Sequence, residues 1–287
     1  MPLNLNNLTF IIVTFKSDEV ILNCLKSLPN NAKIIIIENS NNIKLKQNLE
    51  NQFSNLTVIL ENNIGMGPAN NKGIRLSKTE YVFVINPDVR FHNNSINKLI
   101  DFAKKKNDFA ILAPTCDDAK YPNYKIGHNI NNNDDQDYLK VDSIDGYAML
   151  FNKNRFKDSI YFDENFFLYL ENDDLCLRKK KEGENIYVVK GAKINHLGGQ
   201  SSSVIHKNEI EYSRHWHWMW SKFYFDKKHY GLINAFSKIF LNLLSAIIKC
   251  IYYAIIFNTH KKNIYKMRVL GLINSILGKK SWYRPRI

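Results

Sequence analysis

The feature that most constrains the fold of this chain is an alternation of short apolar runs and helical segments through its first hundred residues. Four runs have the length and aliphatic content of buried strands, at 9–15, 33–37, 56–60 and 81–85. Helical spacing is found at 18–28, at 68–76, where Pro68 takes the first helical position, and at about 95–105. Such an alternation predicts an α/β domain with an open, mostly parallel central sheet.

Two acidic clusters follow apolar runs. Residues 86–88 come directly after the run at 81–85, so the Asp88 carboxylate is expected at the carboxyl edge of the sheet, where open α/β sheets bind ligands. Residues 171–174 follow an apolar run at 166–170, and an apolar wall favours a carboxylate that accepts a proton. The first cluster therefore indicates a metal or phosphate site, and the second indicates a base.

A glycine-containing segment at 63–73 lies between a predicted strand and a predicted helix. The third glycine of a dinucleotide fingerprint would fall at Asn70, and the segment follows the third strand instead of the first, which argues against a Rossmann dehydrogenase. Two interpretations stay open. The segment is either a tight turn that begins a helix or a loop whose backbone approaches a nucleotide, with Asn70 available for a hydrogen bond.

Cysteine spacing and charge distribution limit the class of protein further. The four cysteines are far apart, which predicts reduced thiols in a cytosolic protein and neither a disulfide framework nor a zinc site. The first 15 residues lack the basic and apolar regions of a signal peptide. Residues 201–287 hold 15 of the 40 Lys and Arg residues but 3 of the 27 Asp and Glu residues, so nearly all of the net charge of +13 lies there. Such a region attracts any polyanion.

The arrangement of apolar residues in this basic region favours binding to a lipid surface over binding to nucleic acid. Residues 232–257 form a mostly apolar helical segment whose few polar side chains fall within about 40° of one line on a helix: Asn234, Lys238, Asn242, Ser245 and Lys249. A helix that lies on the membrane keeps both lysines in water, whereas a spanning helix buries them at roughly 3 kcal/mol each. Packing against the protein itself is the alternative. A second helix at 264–277, flanked by lysines and arginines, suits anionic headgroups.

Two further segments are less constrained by pattern. Residues 121–138 are rich in Asn and Asp without periodicity, which predicts a loop. Residues 214–220 alternate tryptophan with basic and polar residues, and their spacing is compatible with a strand or a helix. Their aromatic rings fit an interfacial membrane belt, stacking on a bound ligand, or packing against the α/β domain, and packing is the preferred interpretation.

Seven segments in a fixed order carry a resemblance to a known family: residues 11–15, Glu38-Asn39-Ser40, residues 63–73, Asn86-Pro87-Asp88, Asp145-Gly146, residues 162–164 with 171–175, and residues 196–201. From about Thr9 to about Tyr230 the chain resembles the family 2 glycosyltransferases, in particular the rhamnosyltransferase-like members. The resemblance implies the GT-A fold, an α/β fold with a mostly parallel central sheet. It also implies inverting transfer of a sugar from a nucleotide diphosphate donor to a hydroxyl.

The resemblance assigns residues to the donor and acceptor. Thr14, Phe15 and Glu38 match positions that hold the base and ribose of the donor. Asn63, Gly67 and Asn70 match the loop near the donor, and Asn86 and Asp88 match the motif at its diphosphate. Asp145 and Gly146 match an acceptor or donor sugar contact, and the acceptor is preferred. An acceptor sugar is also the ligand on which the aromatic rings of residues 214–220 would stack. Asp88 matches the metal ligand of the DxD motif, whose first acid is Asn86 in this chain, and His196 completes the site. Mg²⁺ or Mn²⁺ is the expected cofactor, because hard cations neutralise a leaving diphosphate.

The base is expected in the second acidic cluster. Many relatives read Glu-Asp-x-Asp there, with the second position a candidate base, but this chain has Asn172, which accepts no proton at neutral pH. The role passes to Glu171 or Asp173, with Glu171 preferred because it directly follows the apolar run. Asp174 is expected to pair with Arg178 at the i, i+4 spacing of a helix.

The sequence therefore predicts a transferase domain over residues 1–230 and a basic, amphipathic, membrane-associating tail over residues 231–287. Its expected partners are a nucleotide-sugar donor, a glycan or lipid-linked acceptor of surface polysaccharide synthesis and an anionic membrane surface, with no nucleic acid. The expected donor is dTDP-rhamnose or a UDP-hexose, and the expected location is the cytoplasmic face of the membrane. The alternative is a non-catalytic polyanion-binding protein on a nucleotide-binding fold.

Overall fold

The computed structural model describes residues 1–117, 122–127, 137–196 and 206–287. Two compact units are present. The first comprises Met1–Asp163 and Asn172–Ser203, and the second comprises Glu164–Glu171 and Val204–Ile287. Most of the predicted loop at 121–138 lies outside the described residues, as does the segment that follows His196.

The first unit is organised by its strands, which among the described residues are β1 Leu8–Thr14, β2 Lys33–Glu38, β3 Leu56–Leu60, β4 Tyr81–Ile85, β5 Val89–Phe91, β6 Phe109–Cys116, β7 Tyr124–Lys125, β8 Tyr138–Lys140, β9 Ser143–Ile144, β10 Ala148–Asn152 and β11 Asn185–His196. The main sheet has the order β3-β2-β1-β4-β10-β6-β11-β5, with β8 also pairing with β11, while β7 and β9 form a separate ladder. The first four strands are mutually parallel, as predicted. Strands β5, β8 and β10 run antiparallel to their neighbours, so the whole sheet is mixed.

Five helices cover the sheet in the described part of this unit: α1 Ile21–Lys26, α2 Ile43–Gln52, α3 Met66–Leu76, α4 Ser95–Lys105 and α5 Glu171–Lys181, whose first residue belongs to the second unit. The bounds of α4 match the prediction, and α1 is shorter than predicted. Helix α3 begins two residues earlier than predicted, so Pro68 is its third residue instead of its first. Helix α2 was not predicted because it buries only Leu45 and Leu49.

Apolar side chains cover both faces of the main sheet. One face packs against α1, α2 and α4 through residues such as Leu25, Leu49 and Leu99. The other face packs against α3 and α5 through Ile74 and Leu175. Since the sheet is buried on both sides, its strands are continuous apolar runs, and the loops at the strand ends are where polar side chains collect.

The second unit contains α6 Lys207–Tyr230, α7 Leu232–Ile255 and α8 Thr259–Ile276. Met219 and Phe223 of α6 pack against Ile239 of α7 and Leu272 of α8. Helices α6 and α8 approach closely at Gly271, where an added Cβ would lie 2.1 Å from the Trp216 carbonyl oxygen. The sequence places a domain boundary after Tyr230, whereas this packing makes α6 part of the C-terminal helical unit.

The tryptophan-rich segment at 214–220 is helical and lies within α6. Trp216 and Trp220 are buried, and the Trp220 indole N–H donates to the Lys279 carbonyl at 2.9 Å. Trp218 is 40% exposed. Packing within the second unit therefore accounts for two of these three rings.

Helix α7 divides into a packed face and an exposed apolar face. Ala235, Ile239 and Ala246 are buried against the neighbouring helices. Large apolar side chains lie exposed on the outer side, among them Ile233, Phe240, Leu241, Leu244, Ile248, Ile251 and Ile255. By length and hydropathy this helix is compatible with crossing a membrane, and little of it is buried by protein.

The pH dependence of stability in this unit is expected to follow His217, whose pKa burial lowers to about 3. Nε2 of this neutral ring donates to the Tyr283 carbonyl and Nδ1 accepts from the Ser281 hydroxyl, each at 2.8 Å. An unfolded histidine titrates near pH 6.5, so between pH 6.5 and pH 3 the ring is protonated in the unfolded state and neutral in the folded state. Lowering the pH through this window therefore decreases the free energy of unfolding, which at pH 5 is about 2 kcal/mol below its value at neutral pH.

Denaturant titrations followed by tryptophan fluorescence measure this effect, because all four tryptophans lie in the second unit. The non-titrating variant His217→Asn should show a flatter stability profile between pH 7 and pH 5. An identical pH dependence in the two proteins would contradict the assignment.

Candidate active site

The carboxyl ends of β3, β2, β1 and β4 lie side by side at one edge of the main sheet. The residues predicted to hold the donor all lie on these ends or on the segments that leave them: Thr14, Phe15, Glu38, Asn63, Gly67, Asn70, Asn86 and Asp88. Polar groups at this edge of an open α/β sheet are positioned to bind a ligand.

Residues 86–89 form a tight turn between β4 and β5. The Val89 N–H donates to the Asn86 carbonyl at 3.2 Å, which is the hydrogen bond of a β-turn with Pro87 in its second position. The Asn86 N–H donates to the Tyr147 carbonyl at 2.9 Å, which fixes the turn against the start of β10. Asp88 is therefore held on rigid backbone at the sheet edge.

His196 lies beside Asp88 because β11 runs antiparallel to β5, with His196 opposite Val89. Its Nε2 is 3.5 Å from Oδ1 of Asp88, and the Asp88 side chain is 1% exposed. Among the described residues, neither carboxylate oxygen of Asp88 has a hydrogen-bond partner. A buried carboxylate in this condition suits a bound ligand, since most buried polar groups in proteins are hydrogen-bonded.

Tyr147 orients the imidazole and was missed by the sequence analysis. Its ring stacks on that of His196 with centroids 3.9 Å apart and planes inclined by 18°. The sequence offered one signal, because Tyr147 directly follows Asp145-Gly146. A stacked ring restricts rotation of His196 and so fixes the direction of its ring nitrogens.

Two more buried oxygens lie at the sheet edge formed by the carboxyl ends of β1 to β4, which we name the donor edge. Oγ1 of Thr14, at the end of β1, and Oδ1 of Asn70, in α3, make no hydrogen bond to any residue that the structure describes. Thr14 is fully buried and Asn70 is 3% exposed. A hydroxyl and an amide in this condition suit a polar ligand such as a nucleoside.

Asn39 organises the donor edge, although the sequence assigned it no role of its own. Its N–H donates to the Thr14 carbonyl at 2.7 Å, and its side-chain Oδ1 accepts from the Ile64 N–H at 3.0 Å. Its Nδ2 donates to the Gly65 carbonyl at 3.3 Å. Through its backbone N–H and its side-chain amide, Asn39 therefore connects the ends of β1 and β2 to the glycine-containing segment.

Glu38 is buried at the end of β2 and turns toward its own loop. Its carboxylate accepts from the N–H and hydroxyl of Ser40, the latter at 2.6 Å, and from the N–H of Asn42. These contacts show that Glu38 shapes the loop that follows β2.

The Asp145-Gly146 turn lies against the start of α5. An added Cβ on Gly146 would lie 3.3 Å from Cβ of Asn172, so only a small residue fits there comfortably. Burial raises the pKa of the Asp145 carboxyl, while Lys125 and His196 oppose that shift and Asp173 adds to it. Asp145 therefore belongs to the electrostatic surroundings of His196.

The three residues after Glu171 have structural partners. Asn172 Nδ2 donates to the Ile144 carbonyl at 2.9 Å, a bond that an ionised aspartate at this position is unable to make. Asp173 Oδ1 accepts from Lys125 Nζ and Ser143 Oγ, both at 2.8 Å.

The predicted pairing of Asp174 with Arg178 is confirmed, with Nε 2.9 Å from Oδ2 and Asp174 fully buried. The Arg178 guanidinium also donates to the Tyr161 carbonyl. Asp174 is thereby committed to holding α5 in place.

Glu171 is the first residue of α5 and belongs to the second unit. It directly follows Tyr169 and Leu170, whose φ angles of 72° and 66° place two non-glycine residues in the left-handed region. Such backbone persists only where packing fixes it, and it is frequent at functional sites.

The side-chain atoms at Asp88 that could ligate a metal suit a divalent cation. An unsatisfied carboxylate and a nearby imidazole nitrogen are ligands that Mn²⁺ accepts, and Mg²⁺ prefers the oxygens. Within the described ranges, no cluster of three or more His, Cys, Asp or Glu side chains is arranged to hold a metal. The remaining ligands of a cation here would come from a bound diphosphate and water.

Comparison with known proteins agrees with this architecture. Residues 9–172 match the model of the Glycosyl transferase family 2. Agl10 of Haloferax volcanii, a hexosyltransferase of low-salt glycan biosynthesis, is 26% identical over 199 residues, which are 63% of this chain and 64% of that protein. The dTDP-rhamnosyl transferase RfbF of Shigella flexneri is 23% identical over 297 residues, or 95% of this chain and 96% of that protein.

The rhamnosyltransferase WbbL of Escherichia coli K12 is 25% identical over 209 residues, covering 62% of this chain and 79% of that protein.

Two solved structures share the fold. GalNAc-T7 with UDP, GalNAc and Mn²⁺ gives a TM-score of 0.54 at 14% identity over 73% of this chain. TarS 1–349 of S. aureus with UDP gives 0.51 at 13% identity over 96% of this chain and 93% of that one. The chain spans half of the GalNAc-T7 chain and just under two thirds of Agl10. The predicted GT-A fold is confirmed.

Proposed function

Because this chain belongs to glycosyl transferase family 2, we propose that it transfers a sugar from a nucleotide diphosphate donor to a hydroxyl, with inversion at the anomeric carbon. The observation that carries this proposal is the buried Asp88 carboxylate, which has no hydrogen-bond partner in the described part of the chain and lies 3.5 Å from His196. Both residues lie at the sheet edge where the buried oxygens of Thr14 and Asn70 likewise bond to no described residue. Together these groups suit a nucleoside diphosphate.

Each side chain has a distinct task in this proposal. Thr14 and Asn70 bind the nucleoside part of the donor, and Asn39 keeps the surrounding loops in register. Asp88 and His196 would hold Mg²⁺ or Mn²⁺, which when bound neutralises the charge that develops on the leaving diphosphate. Tyr147 keeps the His196 ring in its orientation.

Glu171 takes the proton of the acceptor hydroxyl. Asp173 is the weaker candidate because its carboxylate already accepts hydrogen bonds from Lys125 and Ser143. Asn172 is excluded as the base because its amide accepts no proton and donates to the Ile144 carbonyl. Asp174 is excluded because its carboxylate pairs with Arg178. Asp145 and Gly146 are proposed to contact the acceptor sugar. Gly146 lies against the side chain of Asn172 at the start of α5.

The proposed donor is dTDP-rhamnose, with UDP-hexoses as the second class. Support comes from relatives named as a rhamnosyltransferase and a dTDP-rhamnosyl transferase, the latter aligned over almost the whole chain. The proposed acceptor is a glycan or a lipid-linked sugar of surface polysaccharide synthesis.

Purified protein assayed against a panel of nucleotide sugars, with Mn²⁺ or Mg²⁺, tests the proposal. Release of a nucleoside diphosphate from one donor class is expected, with dTDP-rhamnose giving the fastest release. No release from any donor, in the presence of a membrane extract as acceptor source, would favour the alternative of a non-catalytic polyanion-binding protein.

We also propose that the second unit holds the enzyme on the cytoplasmic face of the membrane. Supporting this, α7 presents a broad apolar face outward, and Lys238 on its polar side pairs with Asp226 at 2.7 Å. A helix that lies in the interface keeps such a polar side in protein and water while its apolar side enters the lipid. Basic residues in and around α8 suit anionic headgroups.

Placing acidic residues on the outer face of α7 is expected to release the protein from vesicles. Phe240 and Leu244 are both exposed, and each contributes about 2 kcal/mol if it is buried in lipid. The variant Phe240→Glu/Leu244→Glu should lose at least about tenfold in partitioning onto vesicles that contain phosphatidylglycerol. Flotation on a density gradient measures the bound fraction.

Asn242→Glu/Ser245→Glu is the matched control, because it adds the same charge on the polar side of the helix. It should keep most of the binding. Equal loss in both variants would show that charge alone governs the association, and unchanged binding of the first variant would contradict the lipid assignment. Point variants are preferable to truncation after Tyr230, since α7 and α8 cover Met219 and Phe223.

A further inference from the structure

The segment that ends in Glu171 is held by the C-terminal helical unit. Residues 164–171 pack along α6, where the Ser221 hydroxyl donates to the Leu168 carbonyl at 2.8 Å. Asn165 Nδ2 donates to the Tyr224 hydroxyl at 3.1 Å, and the Tyr169 ring meets the edge of Trp218 with centroids 5.5 Å apart. The chain that leads into the candidate base therefore has its contacts in the second unit.

Phe167 is the centre of this packing and is 6% exposed. The His217 ring stacks on one side of it, with centroids 4.3 Å apart and planes inclined by 26°. The Arg284 guanidinium lies over the ring as well, 3.7 Å from its centroid. A residue three positions from the end of the chain thus contacts a residue four positions before Glu171.

The final segment, residues 279–286, is itself fixed on α6, and we name it the C-terminal strap. His217 binds Ser281 and Tyr283 through its two ring nitrogens, and Trp220 binds the Lys279 carbonyl. Arg284 Nη1 donates to the carbonyls of Ser281 and Tyr283, both at 2.9 Å. These contacts place the guanidinium over Phe167 in a defined position.

We propose that the C-terminal strap positions Glu171 for proton transfer, with Arg284 acting as a positioning residue through Phe167. The two left-handed residues Tyr169 and Leu170 stand between Phe167 and Glu171, and packing has to maintain their conformation. Arg284 does so by clamping the Phe167 ring against His217. This inference rests on the proposed function, because it assigns Glu171 as the base.

The test compares Arg284→Ala with Arg284→Lys and with the matched control Arg286→Ala. Arg286 is an exposed arginine of the same strap that contacts Glu209 through its backbone N–H. Arg284→Ala should lower kcat about tenfold at an unchanged donor KM, Arg284→Lys should recover part of the loss, and Arg286→Ala should match the wild type.

Combining Arg284→Ala with Glu171→Gln distinguishes an effect on the position of Glu171 from a general loss of stability. If Arg284 acts through Glu171, Arg284→Ala should change the residual activity of Glu171→Gln by less than about twofold. The same tenfold loss in both backgrounds would overturn the inference. Equal turnover of wild type and Arg284→Ala would overturn it as well.

Amide hydrogen exchange provides a readout that does not depend on activity. Residues 164–171 should exchange at least about tenfold faster in Arg284→Ala than in Arg286→Ala, because the clamp on Phe167 is lost. Unchanged exchange would overturn the inference even if the enzyme is active. A wild-type protein that releases no nucleoside diphosphate would overturn the proposed function instead, and the exchange result would still show whether the strap orders this segment.

Discussion

Replacing Glu171 with glutamine should lower sugar transfer by roughly 10² to 10⁴, the contribution of a positioned general base. The amide keeps the size of the side chain and its place at the start of α5 but accepts no proton. Donor affinity should stay within about twofold, because the donor edge is formed by residues of the first unit, to which Glu171 does not belong. Initial rates of nucleoside diphosphate release, measured with acceptor, and calorimetric donor binding give the two quantities.

Asp173→Asn is the control for this prediction, because it removes the charge of the next acidic residue along the chain. Its expected effect is smaller, since the Asp173 carboxylate ties α5 to Lys125 and Ser143. Near-normal turnover of Glu171→Gln combined with a large loss in Asp173→Asn would move the base to Asp173.

Replacing Asp88 with asparagine should lower turnover by roughly 10² to 10³. Asparagine has the shape of aspartate and removes the buried charge that faces His196, so the fold is kept while the cation is bound less tightly. Chelation by EDTA should lower the wild-type rate to a similar level and have little further effect on the variant. Steady-state kinetics over a range of Mn²⁺ concentrations measure both effects.

A second aspartate–histidine pair provides the matched control. Asp117 Oδ2 lies 2.6 Å from His92 Nε2, and both side chains are partly exposed. Asp117→Asn removes the same charge from the same unit and should leave turnover within about twofold. Comparable losses at Asp88 and Asp117 would argue for a general electrostatic effect and against a metal site.

The fold was predictable where local pattern decides it. Strands at 56–60 and 81–85 and helix α4 have the predicted bounds, because each is a short, mostly apolar run or a clear amphipathic repeat. Helix α2 was missed because only Leu45 and Leu49 face the sheet and polar residues fill the rest. Its formation depends on tertiary contact, which a short sequence window does not contain.

The site was predictable as a set of residues and less so as an arrangement. Acidic residues after strands identified Asp88, and helical spacing identified the Asp174–Arg178 pair. The stacking of Tyr147 on His196 depends on strands β10 and β11 reaching the same edge, which no local pattern encodes. The assignment of residues 164–171 to the helical unit likewise follows from packing between distant segments.

Asp88 and His196 are proposed to hold a cation jointly on the donor diphosphate. Calorimetric titration of the protein with dTDP or UDP, in Mn²⁺ or in EDTA, measures whether they do. The cation should strengthen nucleotide binding by at least about tenfold in the wild type, and Asp88→Asn and His196→Ala should each abolish the gain, with no further loss when combined. Equal nucleotide affinity with and without the cation in the wild type would show that Asp88 and His196 hold no cation on the diphosphate.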